Sequence, residues 1–96
     1  MSIRVVAKHF IKPEKLDEFT KLCKKLVEST NKEDWGCIHY QVYQDVKEPT
    51  TVAMLEEWES MEAIENHLKA QHFLDILPAL RECLGGTSDI TSYKLL

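Results

Sequence analysis

The chain has 96 residues, of which 44% are hydrophobic and 29% charged, and its formal net charge is −4 at pH 7. These values are typical of a soluble globular domain and exclude a disordered chain. No apolar run approaches the ~20 residues that a membrane helix needs. The negative charge, with lysines and arginines scattered along the chain, argues against a nucleic-acid partner. We therefore expect one domain over residues 1–96, with no membrane or nucleic-acid partner.

The amino terminus and the cysteines together predict a cytoplasmic location. The opening segment is too short and carries Arg4 too early for a signal peptide. The three cysteines are odd in number and lack paired spacing, so we expect reduced thiols rather than disulfides. They are Cys23, Cys37 and Cys83.

The sequence pattern predicts four strands and two helical regions in the order β-α-β-β-α-β. The second helical region is divided into two helices, so three helices are expected in total. Alternation of side chains marks the first two strands, branched and apolar residues mark the third, and apolar residues at steps of three and four mark the helices. Strands are predicted at 2–10, 37–45, 51–58 and 90–96, and helices at 14–30, 60–69 and 72–84.

Four local features refine this pattern. Residues 31–36 predict a turn, and alternation in the second strand places Cys37 on the face opposite Tyr40. Ser60 is a typical N-cap. Pro78 predicts a kink or a new turn, because proline has no N–H to donate to the carbonyl four residues earlier.

This order of elements predicts an α+β, ferredoxin-like sandwich in which helices cover one face of a single antiparallel sheet. The strands carry apolar residues on both faces, so the uncovered face would expose a large apolar patch. A domain of this size also buries a limited share of its own surface. We therefore expect a homodimer in which two sheets pack face to face.

A carboxylate, an indole and an imidazole are predicted to meet beside the third strand. Glu56 and Trp58 share one strand face with Met54, and His67 borders the helix face that turns toward the sheet. Two interpretations of His67 stay open: a general base with a pKa near the working pH, or a structural group that donates to a carbonyl. Trp58 is equally compatible with a core position and with the wall of a ligand pocket.

The remaining polar side chains predict an ion-pair or hydrogen-bond partner for Glu56 and argue against a metal site. A buried Glu56 needs a partner, for which Arg81 or a histidine is expected. His72 is expected to cap the helix that begins there. His67 and His72 lie five residues apart, about 140° around a straight helix, so they do not form an i, i+4 zinc pair. We therefore predict no metal site and no cofactor.

Two stretches of the chain resemble a known family. Glu56-x-Trp58-Glu59-Ser60 is followed by His67-Leu68-x-x-x-His72-Phe73, and both Gly36-Cys37-x-x-Tyr40 and Lys12-Pro13 fit the same pattern. The chain resembles, over essentially its whole length, the antibiotic biosynthesis monooxygenase family of the dimeric α+β barrel superfamily. It is most similar to small quinol-oxidising members.

The resemblance implies a monooxygenase that oxidises a small electron-rich aromatic, of quinol or phenol type, with O₂ and with neither metal nor flavin. It implies His67 and Glu56 as catalytic residues, with His72 as a further candidate base. The substrate pocket that it implies is formed by Trp58, Met54, Tyr40, Phe73 and His72.

The sequence also departs from parts of that family. Met54 stands where the anthrone-oxidising branch has an asparagine, which argues against anthrone oxidation. The first strand holds Lys8-His9-Phe10 and lacks the asparagine of the heme-degrading relatives. A small-ligand-binding or isomerase-like protein on the same dimer remains the alternative, because an isomerase would also use a histidine and a carboxylate.

Overall fold

Four strands form one antiparallel sheet, and three helices pack against one of its faces in this computed structural model, which describes all 96 residues. The strand order is β2-β3-β1-β4, and each neighbouring pair is antiparallel. This arrangement is ferredoxin-like and confirms the predicted α+β class. The strands are β1 (Ile3–Phe10), β2 (Cys37–Gln44), β3 (Thr51–Trp58) and β4 (Asp89–Lys94), and the helices are α1 (Leu16–Glu33), α2 (Met61–Lys69) and α3 (Gln71–Glu82).

The core lies between the helices and the inner face of the sheet. Alternate residues of the two central strands are buried there, namely Val5 and Ala7 from β1 and Val52, Met54 and Trp58 from β3. The sheet therefore buries one face through the two-residue period of its strands. Helical residues complete the core: Phe19, Cys23, Leu26, Ala63 and Leu80.

A β-bulge at the start of β2 changes the predicted orientation of Cys37. The bulge lies between Cys37 and His39, so that Cys37 is opposite Trp58 and Tyr40 is opposite Glu56. The extra residue shifts the alternation by one place. Cys37 and Tyr40 consequently share the inner face, and the prediction that placed them on opposite faces is wrong.

Helix α1 runs three residues beyond the predicted end, so the first half of the predicted turn at 31–36 is helical. Asn31 continues the helix because its side-chain amide donates to the carbonyls of Val27, at 2.9 Å, and Tyr40, at 2.8 Å. The helix ends at Asp34, whose N–H still bonds to the Thr30 carbonyl. The extension brings the Asp34 side chain to the end of α1 that faces α2 and α3.

The two short helices α2 and α3 are separated at Ala70, whose backbone is extended. Ser60 caps α2 as predicted, since its Oγ accepts a hydrogen bond from the Ala63 N–H at 3.2 Å. Pro78 lies inside α3 without opening the predicted new turn. Leu74 supplies the carbonyl that loses its partner, and this residue is exposed, so the loss is inexpensive.

The outer face of the sheet lies away from the helices. Val6 pairs with Leu55 at its centre, and Ala53 lies beside Leu55 on the same face. Tyr43 and Tyr93, on the two edge strands, are about half exposed. These five residues are called the outer patch below.

No helix is long and apolar enough to cross a bilayer. All three cysteines are free thiols.

Candidate active site

A cavity of about 390 Å³ lies between the inner face of the sheet and the helices. Its walls are mainly apolar, and they include side chains from every strand and every helix. Pockets for small molecules commonly combine such walls with a few polar groups. The polar and titratable residues of the lining are His9, Tyr40, Glu56, His67, Arg81 and Ser92.

Five of the seven residues that were expected to form the site line this cavity. They are Tyr40 from β2, Met54 and Glu56 from β3, His67 from α2 and Phe73 from α3. The two others, Trp58 and His72, are not part of the lining. Trp58 is fully buried behind it, and His72 lies toward the surface with 19% of its side chain exposed.

His67 is enclosed by three aromatic rings and is only 3% exposed. Its ring centre lies 4.8 Å from that of Trp58, 4.9 Å from that of Phe73 and 5.2 Å from that of Tyr40. Edge and tilted contacts at these separations are favourable between aromatic rings. The three rings therefore fix the orientation of the imidazole.

Asp34 binds one nitrogen of the imidazole, Nδ1. His67 Nδ1 lies 2.5 Å from Asp34 Oδ2. An ionised carboxylate can only accept, so Nδ1 carries the proton and donates it. In a neutral ring this leaves Nε2 with its lone pair, on a side chain that forms part of the cavity wall.

The turn after α1 holds Asp34 in place. Gly36 has a φ of +79°, and a Cβ at this position would come within 2.5 Å of the Ala63 Cβ. Only glycine permits this backbone conformation and this close approach without strain. Gly36 also accepts a hydrogen bond from the Glu59 N–H, at 2.8 Å, which ties the turn to the beginning of α2.

Burial keeps the imidazole of His67 neutral. Burial lowers the pKa of His67 below its ordinary value, and His72 lowers it further. Asp34 acts in the opposite direction through its hydrogen bond and its charge, but burial has the largest effect. A neutral imidazole at neutral pH is the form that can accept a proton.

His72 also binds Asp34, which corrects the prediction that it caps α3. Its Nε2 lies 3.1 Å from Asp34 Oδ1, and its Nδ1 lies 3.5 Å from Glu33 Oε2. No side chain caps the first turn of α3. The carboxylate at the end of α1 attracts the imidazole more strongly than a backbone N–H does, because it bears a charge.

Glu56 has a different partner from those expected. The Trp58 indole N–H donates to Glu56 Oε1 at 2.9 Å, and neither Arg81 nor a histidine pairs with the carboxylate. Burial raises the pKa of Glu56 to about 7, although the hydrogen bond from Trp58 acts to lower it. Glu56 therefore exchanges its proton near neutral pH, within the cavity.

The family model of antibiotic biosynthesis monooxygenases matches residues 2–79. The chain belongs to this family. The family suggested by the Glu56, Trp58 and His67 stretches is thus confirmed.

Solved structures agree with this assignment of the monooxygenase family. A crystal structure of a conserved protein from Methanosarcina mazei Go1 has a TM-score of 0.93 and 45% identity, over 98% of this chain and 92% of that chain. A crystal structure of an antibiotic biosynthesis monooxygenase has a TM-score of 0.91 and 28% identity, over 98% of each chain.

The YcnE protein of Bacillus subtilis is 31% identical over 85 residues, which make up 88% of each chain. The present chain spans 57% of the length of two other relatives, from Synechocystis and Bacillus subtilis.

Within this member of the family, Asp34, His67 and His72 form a compact group of potential metal ligands. Each offers one ligand atom, and these atoms lie within 4.8 Å of one another. The predicted separation of about 140° assumed one straight helix. That assumption is wrong, because the break at Ala70 redirects α3 and lets both imidazoles reach the same carboxylate.

Asp34 is the site residue that sequence reasoning missed. It is 33 positions from His67 and lies in a segment that was predicted to be a turn. The Asp34-x-Gly36 spacing is the only local signal, and it indicates a turn rather than a partner for a histidine. A contact of such long range depends on the packing of α1 against β2 and α3, which short-range periodicity does not encode.

Proposed function

We propose that the protein is a monooxygenase that uses O₂ to oxidise a small electron-rich aromatic of quinol or phenol type, with neither metal nor flavin. The observation that carries this proposal is the His67 imidazole, oriented by Asp34, in the wall of a largely apolar cavity, where burial lowers the pKa of the ring. Membership of the monooxygenase family supports the reaction class.

The cavity has the size and the polarity that such a substrate requires. A cavity of roughly 150 Å³ holds benzene. The volume of about 390 Å³ therefore leaves room for one ring with substituents or for two fused rings. Met54 and Phe73 supply apolar surface for the ring, and Glu56 and His67 supply polar groups for its hydroxyls.

The protein's task in this reaction is proton removal. Triplet O₂ reacts slowly with a closed-shell quinol, whereas the deprotonated quinol readily gives up one electron. His67 Nε2 accepts the hydroxyl proton, and Asp34 stabilises the imidazolium that results. The apolar walls exclude water, which strengthens each electrostatic interaction at the ring.

Oxygen transfer then proceeds between substrate and O₂. One electron passes from the quinol anion to O₂, and the two radicals combine to form a carbon–oxygen bond. The O–O bond then breaks: one oxygen atom stays on the ring, and the other takes up protons and leaves as water. A hydroquinone and O₂ thus give a hydroxyquinone and H₂O, with His67 regenerated as the neutral base.

Oxygen uptake in buffer without flavin and with a metal chelator tests the proposal. The panel should contain single-ring and two-ring hydroquinones, and the label should be ¹⁸O₂. We expect uptake with the incorporation of one ¹⁸O atom into the product and the second into water. No uptake above the rate without protein, for any member of the panel, would contradict the proposal.

An isomerase-like protein is the second candidate, and the position of Glu56 favours it. Glu56 and His67 both line the cavity, and a pKa of about 7 allows Glu56 to act as donor or acceptor. Such a pair can take a proton from one carbon atom and return it to another. Exchange of substrate C–H for deuterium in D₂O, with no O₂ consumed, would support this candidate over the monooxygenase.

We further propose that two copies of the chain pack outer face to outer face. Val6 and Leu55 form the centre of the outer patch, while Tyr43 and Tyr93 extend it to the edges of the sheet. Burial of this surface would offset the small core of a 96-residue domain. Sedimentation at low micromolar concentration should give a dimer, and a monomer of 11.2 kDa would contradict this assembly.

A further inference from the structure

The Asp34, His67 and His72 cluster lies directly behind one wall of the cavity. His67 contributes to that wall, whereas His72 lies on the solvent side of the cluster. Two imidazoles and one carboxylate form a ligand set that suits zinc and related divalent transition metals. Calcium and magnesium prefer sets made of oxygen atoms alone. We propose that this cluster binds Zn²⁺, or a similar divalent transition metal, and that the bound metal inhibits the enzyme.

The spacing of the ligand atoms supports a tetrahedral ion. Zinc bonds of about 2.0–2.1 Å place neighbouring ligand atoms about 3.3 Å apart. In the structure one oxygen of Asp34, Oδ2, lies 2.5 Å from His67 Nδ1 and 3.3 Å from His72 Nε2. All three ligand atoms lie within 4.8 Å of one another. The His72–Asp34 separation matches the required spacing and the His67–Asp34 separation is shorter, so a small rotation of the Asp34 or His67 side chain would make room for the ion.

The surroundings of the cluster resemble those of a metal site. Glu33 Oε2 lies 3.5 Å from His72 Nδ1, and a carboxylate at the second ring nitrogen commonly orients a metal-bound histidine. The carboxylates of Asp34 and Glu33 offset the charge of a divalent ion. The His72 side chain is 19% exposed and that of Asp34 is 7% exposed, so an ion can enter from the His72 side.

Zinc at this position would reverse the hydrogen-bonding role of His67. The metal binds the Nδ1 lone pair, so the single proton of the neutral ring must be on Nε2. That nitrogen then donates into the cavity rather than accepting from the substrate. The inhibition rests on the proposed function, whereas the binding of zinc and the shift of the proton do not.

Calorimetric titration of the metal-free protein with zinc chloride tests the site. We expect one Zn²⁺ per chain, with an affinity that falls at least about 10–100-fold in His72→Ala, the range seen for groups that merely support a ligand. His39→Ala removes an exposed histidine from the outer face and should leave the affinity unchanged. Circular dichroism verifies that both variants are folded. No saturable binding, or equal affinity in His72→Ala, would overturn the site.

The proton shift is read without any substrate, by ¹⁵N NMR of the His67 ring. Nε2 should be unprotonated in the metal-free protein and protonated once zinc is bound. Saturable binding without this change would overturn the inhibitory role. If the protein oxidises a quinol, zinc should also slow O₂ uptake by the wild type. The same zinc concentration should slow O₂ uptake by His72→Ala much less, when each protein is compared with its own rate without zinc. A failure of the proposed function would appear as no uptake in either protein, while the titration and NMR results would still decide the metal site.

Discussion

The face of the sheet that meets the helices and the face that looks away from them are built from alternate residues of the same four strands. On the inner face of β3, Met54 and Glu56 line a cavity and Trp58 closes the core behind it. On the outer face, Leu55, which lies between Met54 and Glu56 in sequence, is 36% exposed. Glu57 forms an ion pair with Arg4 at 3.7 Å on the same face.

This difference separates the proposed chemistry from the proposed assembly. The inner face holds the buried titratable groups, whose pKa values shift because the helices exclude water from them. The outer patch is mainly apolar, and it adjoins the partly exposed ion pair of Arg4 and Glu57. Substitutions on one face should consequently affect turnover, and substitutions on the other should affect the dimer.

The largest expected effect is on turnover, from His67→Gln on the helix side of the cavity. Loss of the general base should lower kcat by roughly 10²–10⁴-fold, with the dimer intact. The matched variant His39→Gln, on the outer face, should keep its activity. Oxygen uptake and sedimentation of both variants test this separation. If turnover per folded molecule survived in His67→Gln, the base would be another group, such as Glu56.

The next effect concerns the outer patch. Leu55→Arg would place a charge at the centre of the proposed interface, and its desolvation should raise the dimer Kd by about 10²-fold or more. Leu74→Arg makes the same change at an exposed position on α3 and should leave the dimer unchanged. Analytical ultracentrifugation over a concentration series distinguishes the two, and an unaltered dimer in Leu55→Arg would exclude this face as the interface.

A smaller effect is expected from Asp34→Asn. Asp34 positions His67 without lining the cavity, so kcat should fall about 10–100-fold while KM stays near the wild-type value. Asp75→Asn, an exposed carboxylate on α3, is the control. A purely structural role would instead lower the thermal stability and leave kcat per folded molecule unchanged.

The smallest effect concerns His9, which lies on the inner face and bonds to Ser88 Oγ at 2.7 Å. Burial lowers the pKa of His9 below 6.5, so the unfolded chain binds the proton more readily than the folded protein does. The free energy of unfolding should therefore decrease as the pH falls through 6.5. His9→Gln should make this decrease smaller, and urea unfolding at pH 5 and pH 8 measures the difference. An identical decrease in both proteins would show that His9 does not contribute.

The fold was predictable because most of the chain obeys short-range rules. Alternation located the first two strands, branched and apolar residues located the third, and the Ser60 cap fixed the beginning of α2. The face of Cys37 was not predictable, since a bulge inserts one residue without a distinctive sequence. The continuation of α1 depends on a hydrogen bond between Asn31 and the Tyr40 carbonyl, which forms only after β2 has docked.

The candidate site, like the fold, was predictable only where short-range patterns determine it. Strand parity placed Met54 and Glu56 together, and helical periodicity placed His67 beside them. Strand parity and helical periodicity did not predict the hydrogen-bond partners of Glu56 and His67. Asp34 reaches His67 only because α1 ends beside the break between α2 and α3, and Trp58 reaches Glu56 by turning its indole N–H along its own strand.

The protonation of the His67 ring decides whether this residue can act as the proton acceptor. We propose a neutral imidazole whose Nδ1–H donates to Asp34 and whose Nε2 lone pair is available to a substrate in the cavity. Two-bond ¹H–¹⁵N NMR of the metal-free protein at pH 7, assigned with His67→Gln, reports both nitrogens of this ring. We predict a protonated Nδ1 and an unprotonated Nε2. A proton on Nε2, or on both nitrogens, would exclude His67 as the proton acceptor.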